Sequence, residues 1–186
     1  MEIELRDITF NYKKVNYKSK LVIKNLNMKI NPGISAIIGD NGSGKTTLLD
    51  IISGNLNIDK GEIRFSKKAK IGYVREAPDF VTSTVREELI YSMMEHNYKI
   101  SEKRMLDVLM MVGIDTDLID ANIKDLTNSK KRLLDLACAL IFNPNIILID
   151  NLTDEMDDIN KKRILNIIKI LKTRFNKTIV IASNDI

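Results

Sequence analysis

The residues Gly39, Asp40, Asn41, Gly42, Ser43, Gly44, Lys45 and Thr46 satisfy the spacing G-x-x-x-x-G-K-[ST] in full. They lie between a short apolar run (Ile34, Ala36, Ile37, Ile38) and an apolar-periodic one (Leu48, Leu49, Ile51, Ile52). A strand, a glycine-rich loop and a helix in that order make a cradle for phosphate. Glycines let successive backbone N–H groups converge on an anion, and a helix beginning near Gly44 aims the positive end of its dipole at the same point. The pattern assigns Lys45 to the β- and γ-phosphates of a nucleoside triphosphate and the Thr46 hydroxyl to Mg²⁺, with Thr47 next in the cradle.

A second chemical element stands far downstream. Residues 145–150 are almost wholly apolar and end in a carboxylate, Asp150. Following a phosphate loop, such a carboxylate holds Mg²⁺ through a water molecule, as in a Walker B strand. Other reactive side chains are scarce. His96 is the only histidine, and its place at the polar end of a helical pattern predicts a surface residue. Cys138, the single cysteine, has no partner for an internal disulfide and sits in an apolar helical pattern, where a small buried thiol is expected.

The elements that must position these groups are legible in the periodicity. Residues 3–12 and 21–30 alternate apolar and polar, predicting an antiparallel pair. Asn31-Pro32-Gly33 is a turn that delivers the chain into the strand before the phosphate loop, and Gly54 is a natural end for the loop's helix. Residues 61–65 and 69–74 read as further short strands. From Pro78 the pattern turns helical: Thr84-Val85-Arg86-Glu87 has capping-box spacing, and Ser101 opens a second helix that closes at Gly113. Met93, Met94, Met105, Met110 and Met111 fall in this region, spaced for core packing and suited also to adaptable partner contacts. A helix over about residues 130–142, the Asp150 strand, a helix over 158–174 and a strand over 178–183 complete the chain. The continuous apolar strands belong in a sheet covered on both faces.

Bulk properties limit the function. With 186 residues and 44% hydrophobic content, the chain can bury a core as one compact domain with a subdomain. No apolar stretch is long enough to span a membrane, and Met1-Glu2-Ile3-Glu4 lacks the order of a signal peptide, so a cytosolic protein is expected. The net charge of +4 comes from scattered lysines with acidic residues interleaved, which reads as solvated surface and not as a nucleic-acid face.

Read in order, the motifs resemble the ATP-binding subunit of ABC transporters across essentially the whole chain. Phe10-Asn11-Tyr12 is similar to the family's aromatic segment, with Tyr12 stacking on adenine. Residues 71–74 resemble the strand entering the Q-loop, Leu126-Thr127-Asn128-Ser129-Lys130 the signature motif, Met156-Asp157 the D-loop, and residues 179–185 the strand carrying the switch histidine. The resemblance implies an α/β P-loop NTPase fold: a mainly parallel sheet flanked by helices, N-terminal antiparallel strands and an inserted helical subdomain. The core would comprise residues 1–76 and 137–186, the helical subdomain with the signature 77–136. It further implies ATP and Mg²⁺ as ligands, with Thr46, Glu76 and Asp150 around the metal. The implied partners are transmembrane permease subunits, docked near residues 76–98 with Tyr91 and the methionines as anchors, and a second ATP-binding domain in a homo- or heterodimer. The implied location is the inner face of the cell membrane.

The departures fall on the groups that do chemistry. The family's catalytic glutamate aligns with Asn151, and an amide accepts no proton near neutral pH. Its switch histidine aligns with Asn184, which hydrogen-bonds but does not titrate. The Q-loop glutamine aligns with Glu76, which keeps an oxygen for Mg²⁺ and adds negative charge near the phosphates. In the signature, Thr127 keeps a hydroxyl and a helix N-cap, Asn128 tolerates left-handed geometry, and Ser129 is strained if a glycine conformation is required. Binding retained with impaired turnover is the expectation. Members of the family usually continue past the switch position through more strand and helix, whereas this sequence ends at Ile186, as a compact or a truncated variant would. A different function class, a soluble non-transport ABC protein acting as an ATP-driven clamp, is disfavoured by the lack of a long heptad insertion or second cassette. An ordinary P-loop kinase or GTPase is disfavoured by the segments at Leu126-Thr127 and Met156-Asp157.

Overall fold

A computed structural model describes residues 1–12, 20–151 and 157–184, the side chains of residues 20 and 21 excepted. Among the described residues seven strands form two sheets. Strands β1 (Ile3–Tyr12), β2 (Lys20–Ile30) and β4 (Lys60–Phe65) make an antiparallel sheet in the order β2-β1-β4. Strands β3 (Ile34–Ile38), β5 (Ile71–Val74), β6 (Ile146–Asp150) and β7 (Thr178–Ser183) make a parallel sheet in the order β3-β7-β6-β5.

The parallel sheet is covered on both faces. Ile146 and Leu148 of β6 point into one core with Leu48, Leu49, Ile51 and Ile52 of helix α1 (Lys45–Ser53) and the apolar face of β1. Ile147 and Ile149 point into a second core built on helices α4 (Asn128–Ile141) and α5 (Asp158–Thr173). All five residues of β6 are accordingly buried, as its unbroken apolar sequence predicts. Strand β3, at the edge, is different: its residues alternate between exposed and half-buried. Gly72 lies where β5 meets α4, and a Cβ there would run into the Ala139 carbonyl.

Helices α2 (Val85–Glu95) and α3 (Glu102–Val112) stack against α4 and form the helical part of the chain with the 3₁₀ turns Thr116–Asp120 and Ile123–Asp125. Both start where the sequence places a cap. The Thr84 hydroxyl accepts from Glu87 N while the Glu87 carboxylate accepts from Thr84 N, a complete capping box; Ser101 caps α3, which ends on Gly113 in the left-handed region. The methionines divide by face, with Met93 and Met105 buried and Met94 and Met110 exposed. At the other end of the molecule the Met1 ammonium donates to Thr178 Oγ1 (2.7 Å), whose hydroxyl donates to Met1 O, so the first residue of the chain is clipped to the start of β7.

Candidate functional site

Strand register gathers the site. In the parallel ladder Ile38 pairs with Ser183, Asp150 with Ala182, and Val74 with Ile149. One or two residues past those pairs, at the carboxyl ends of the strands, the chain carries Gly39, Asn184, Asn151 and Glu76. The crevice at the carboxyl ends of parallel strands is where ligands of open α/β sheets bind.

The phosphate loop has the conformation its glycines allow. Gly42 (φ +79) and Gly44 (φ +99) are left-handed, and Gly44 precedes α1 with no side-chain cap over the helix start. The first N–H groups of α1 are thereby left to an incoming anion. Lys45 is buried, and its ammonium donates to Gly39 O (2.6 Å), Asp40 O (3.0 Å) and Asn184 Oδ1 (2.9 Å). The cavity over the loop has a volume of about 270 Å³ and reaches from Tyr12 to Glu76 and Asn151. Tyr12 packs edge-on against Phe10 with ring centroids 4.9 Å apart and shares a hydrogen bond with the Thr47 hydroxyl (3.2 Å), which fixes an aromatic ring beside the cradle.

The donors at the far wall suit a hard cation. Asp150 is buried, and Thr46 hydrogen-bonds to its carboxylate. Burial raises the Asp150 carboxyl above its usual range against the opposing Thr46 hydrogen bond, with the like charge of Glu76 adding to the rise. Asp150 Oδ1 and Asn151 Oδ1 are buried without a hydrogen-bond partner, so the site has oxygen lone pairs in want of a donor or a metal. Mg²⁺ takes one or two carboxylates and completes its shell with water and substrate phosphate, which the hydroxyl of Thr46 and the carboxylates of Asp150 and Glu76 fit. Among the described residues no cluster of three or more His, Cys, Asp or Glu makes a metal site by itself.

Asn151 is tied down from three sides. Its backbone N–H donates to Ala182 O (3.0 Å), its side-chain amide to Glu76 Oε1 (3.2 Å), and its carbonyl accepts from Arg132 Nη1 (3.2 Å). Its φ of +44° is left-handed, a region that asparagine tolerates better than most residues. Neither the Glu76 contact nor the Arg132 contact is readable from linear spacing, because both depend on how β5, β6 and α4 are stacked.

The signature residues lie apart from this cavity, at the start of α4. Thr127 is the N-cap, accepting from Lys130 N (3.3 Å), while Asn128 and Ser129 are helical. Neither has positive φ, so the strain expected at Ser129 does not arise. Asp157 caps α5 by accepting from Asn160 N (2.9 Å); Met156 of the expected D-loop, and Asp185 beyond the switch position, lie outside the described residues. His96, predicted as a surface residue, is exposed and stacks on the buried Phe142 ring. Cys138 is buried, as its pattern predicts.

Fold and site together define a P-loop nucleotide-binding protein. The comparisons with known proteins are narrower. Residues 23–154 match the ABC transporter family. The energy-coupling factor transporter ATP-binding protein EcfA of Onion yellows phytoplasma is 32% identical over 200 residues, covering 99% of this chain and 70% of that protein. A dimeric ATP-binding cassette in a post-hydrolysis state, bound to ADP and Pi, superposes with a TM-score of 0.89 at 25% identity, over 98% of this chain and 88% of that one. CbiO1 of Clostridium perfringens, part of the ABC transporter complex cbiONQ, superposes with a TM-score of 0.77 at 25% identity, over 98% of this chain and 78% of that one. The chain spans from 44% to 74% of the length of the curated relatives it matches. This chain belongs to the ABC transporter family of ATP-binding proteins.

Proposed function

We propose that this chain is the ATP-binding subunit of a membrane transporter, that it takes ATP with Mg²⁺ over the Lys45 loop, and that it hydrolyses the nucleotide slowly. The observation that carries the reading is an amide at each of two positions near Lys45: Asn151 lines the cavity and Asn184 accepts from the Lys45 ammonium, while among the described residues the one carboxylate lining the cavity, Glu76, is engaged by the Asn151 amide. Removing a positioned general base lowers a rate by about 10²- to 10⁴-fold, while phosphate binding through backbone N–H groups and an ammonium is untouched by it.

When bound, Mg²⁺ would neutralise phosphate charge, with Thr46, Asp150 and Glu76 as its protein-side oxygens. Lys45 would exchange carbonyl partners for phosphate oxygens, the α1 N–H groups would orient the triphosphate, and Tyr12 would cover the base. Closure against a second ATP-binding domain would bring the Thr127–Ser129 region of one chain to the phosphates of the other. For transmembrane permease subunits the supporting feature is a groove of about 400 Å³ between the end of α1, β5 and α2, lined by Tyr73, Arg75, Glu88, Tyr91 and Glu95. On this reading the chain is a peripheral subunit at the cytoplasmic face of the membrane. None of the described helices is long and apolar enough to cross a membrane.

The test is a pair of measurements, Mg-ATP affinity and ATP turnover, on the wild type and on Asn151→Glu combined with Asn184→His. Tight binding with slow turnover in the wild type, and faster turnover in the double variant, is the expected result. Wild-type turnover at rates ordinary for the family would sink the proposal, and so would weak binding. Since residue 151 is left-handed, glutamate there carries a backbone penalty of about 1 kcal/mol, so the variant's thermal stability is read alongside.

A further inference from the structure

Glu76 lines a second cavity as well as the one over the phosphate loop. This cavity has a volume of about 480 Å³, against about 270 Å³ over the loop, and lies between residues 76–83 and the segment running from Ile123 into the first turn of α4. Both walls are fixed from within the domain. Val81 N, Thr82 N and the Thr82 hydroxyl donate to the buried Glu88 carboxylate, and Ile123 N donates to Ser83 O (2.9 Å), so the backbone of each wall is set before any ligand arrives.

The lining divides by chemistry. Phe80 and Ile123 belong to the core built on the helices and offer the cavity an apolar surface. Lys124, Lys131 and Arg132 line it too, against one carboxylate, Glu76, whose Oε1 already accepts from the Asn151 amide. Lys131 Nζ donates to Lys124 O (3.4 Å), which brings the two lysines to one rim, and neither ammonium forms an ion pair with a described residue. Small-molecule pockets of roughly 300–1,000 Å³ combine an apolar surface with a few polar groups that orient the ligand. Here those groups are cationic, and they suit an anion.

We propose that this cavity binds a small organic anion with a flat apolar body, distinct from the nucleotide: the body lies on Phe80 and Ile123, the anionic group sits between Lys124 and Lys131, and occupancy changes nucleotide affinity. That last effect rests on nucleotide binding over the Lys45 loop. Its route is short. Arg132 lines the anion cavity and donates to Asn151 O (3.2 Å), while Glu76 lines both cavities and accepts from the Asn151 side chain. An anion that draws Arg132 toward itself loosens Asn151, which lines the nucleotide cavity, and such a coupling acts equally in both directions.

The probe is 2-naphthoate, titrated into the full chain and followed by amide NMR, with the neutral 2-naphthamide as control. Saturable shifts at the Ser83, Lys124 and Arg132 amides are expected. Naphthoate should bind about fivefold more tightly than naphthamide, and about fivefold more weakly to the Lys124→Gln, Lys131→Gln double variant, whose thermal unfolding checks that it is folded. Saturating naphthoate should change the affinity for Mg-ADP by about twofold or more, and saturating Mg-ADP should change naphthoate affinity by the same factor. The anion site is overturned by no shift at those amides, by equal binding of the two probes, by shifts centred on the Lys45 loop, or by self-association of the chain that protects the same amides. Naphthoate binding with nucleotide affinity unchanged overturns the coupling. Failure of Mg-ADP to bind at all counts against the nucleotide reading, and the naphthoate titration then still decides the anion site.

Discussion

Lys45 and Asn184 are 139 residues apart in sequence and joined by a 2.9 Å hydrogen bond, with the asparagine oxygen accepting from the lysine ammonium. The bond fixes the orientation of the asparagine amide: with its oxygen committed to Lys45, only its NH₂ can face an anion bound over the loop. Under the proposed function Asn184 would meet a terminal phosphate as a donor. Replacing it with alanine should weaken ATP about tenfold, the value of one hydrogen bond to a charged group, while leaving ADP nearly unchanged. Equilibrium binding of the two nucleotides would measure this, and an equal loss for both would show that the contact serves the loop and not the third phosphate.

Tyr12 touches the cradle through Thr47, and its ring lines the end of the cavity over the loop. Tyr12→Ala should cost ATP about tenfold in affinity, as expected for an aromatic stack, and should not change the affinity of inorganic tripolyphosphate. Loss of both would mean that the hydroxyl contact with Thr47 holds the loop itself in place.

Asp135 on α4 accepts from Arg75 N (2.9 Å), and burial pushes its carboxyl up to about 7, with Glu88 adding to the rise and Arg75 and Arg132 opposing it. A folded-state value above the unfolded one means that the native state binds the extra proton. Stability from this group is then present at acid pH and is lost as pH rises from the ordinary carboxylate range through about 7. Asp135→Asn keeps the acceptor for Arg75 and should flatten that decline, gaining about 2 kcal/mol at pH 8 in denaturant unfolding. A variant no more stable than wild type at pH 8 would mean that the carboxylate is well solvated in place.

Gly72 has no room for a methyl group beneath α4. Gly72→Ala should push β5 from the helix and destabilise the fold by about 2–3 kcal/mol, read as a fall in the denaturation midpoint. Because β5 leads to Glu76, nucleotide binding should weaken with it; unchanged stability would show that α4 can shift outward at no cost.

Element boundaries were legible because this chain punctuates itself with local chemistry. Gly54 and Gly113 end helices in the left-handed region, and Thr84, Ser101, Thr127 and Asp157 begin them. Such signals act within four residues and survive any tertiary arrangement. The phosphate loop was legible for the same reason. What linear pattern could not supply was anything set by stacking: the Asn151–Glu76 and Arg132–Asn151 contacts, the division of the methionines between core and surface, and the buried Glu88, whose carboxylate accepts from Val81 N, Thr82 N and the Thr82 hydroxyl. The exposure of β3 was equally hidden, since an apolar strand reads alike at the centre and the edge of a sheet. At the signature, the allowance made for glycine-like geometry proved unnecessary because Asn128 and Ser129 are already within the helix.

The clip between Met1 and Thr178 bears on how the protein can be handled. A reporter or purification handle joined ahead of Met1 would turn the ammonium into a peptide nitrogen with one hydrogen in place of three, and would crowd the threonine that starts β7. That strand leads directly to Asn184, so labels intended to be silent are better carried on exposed loops remote from Met1, such as the Asn97 turn after α2.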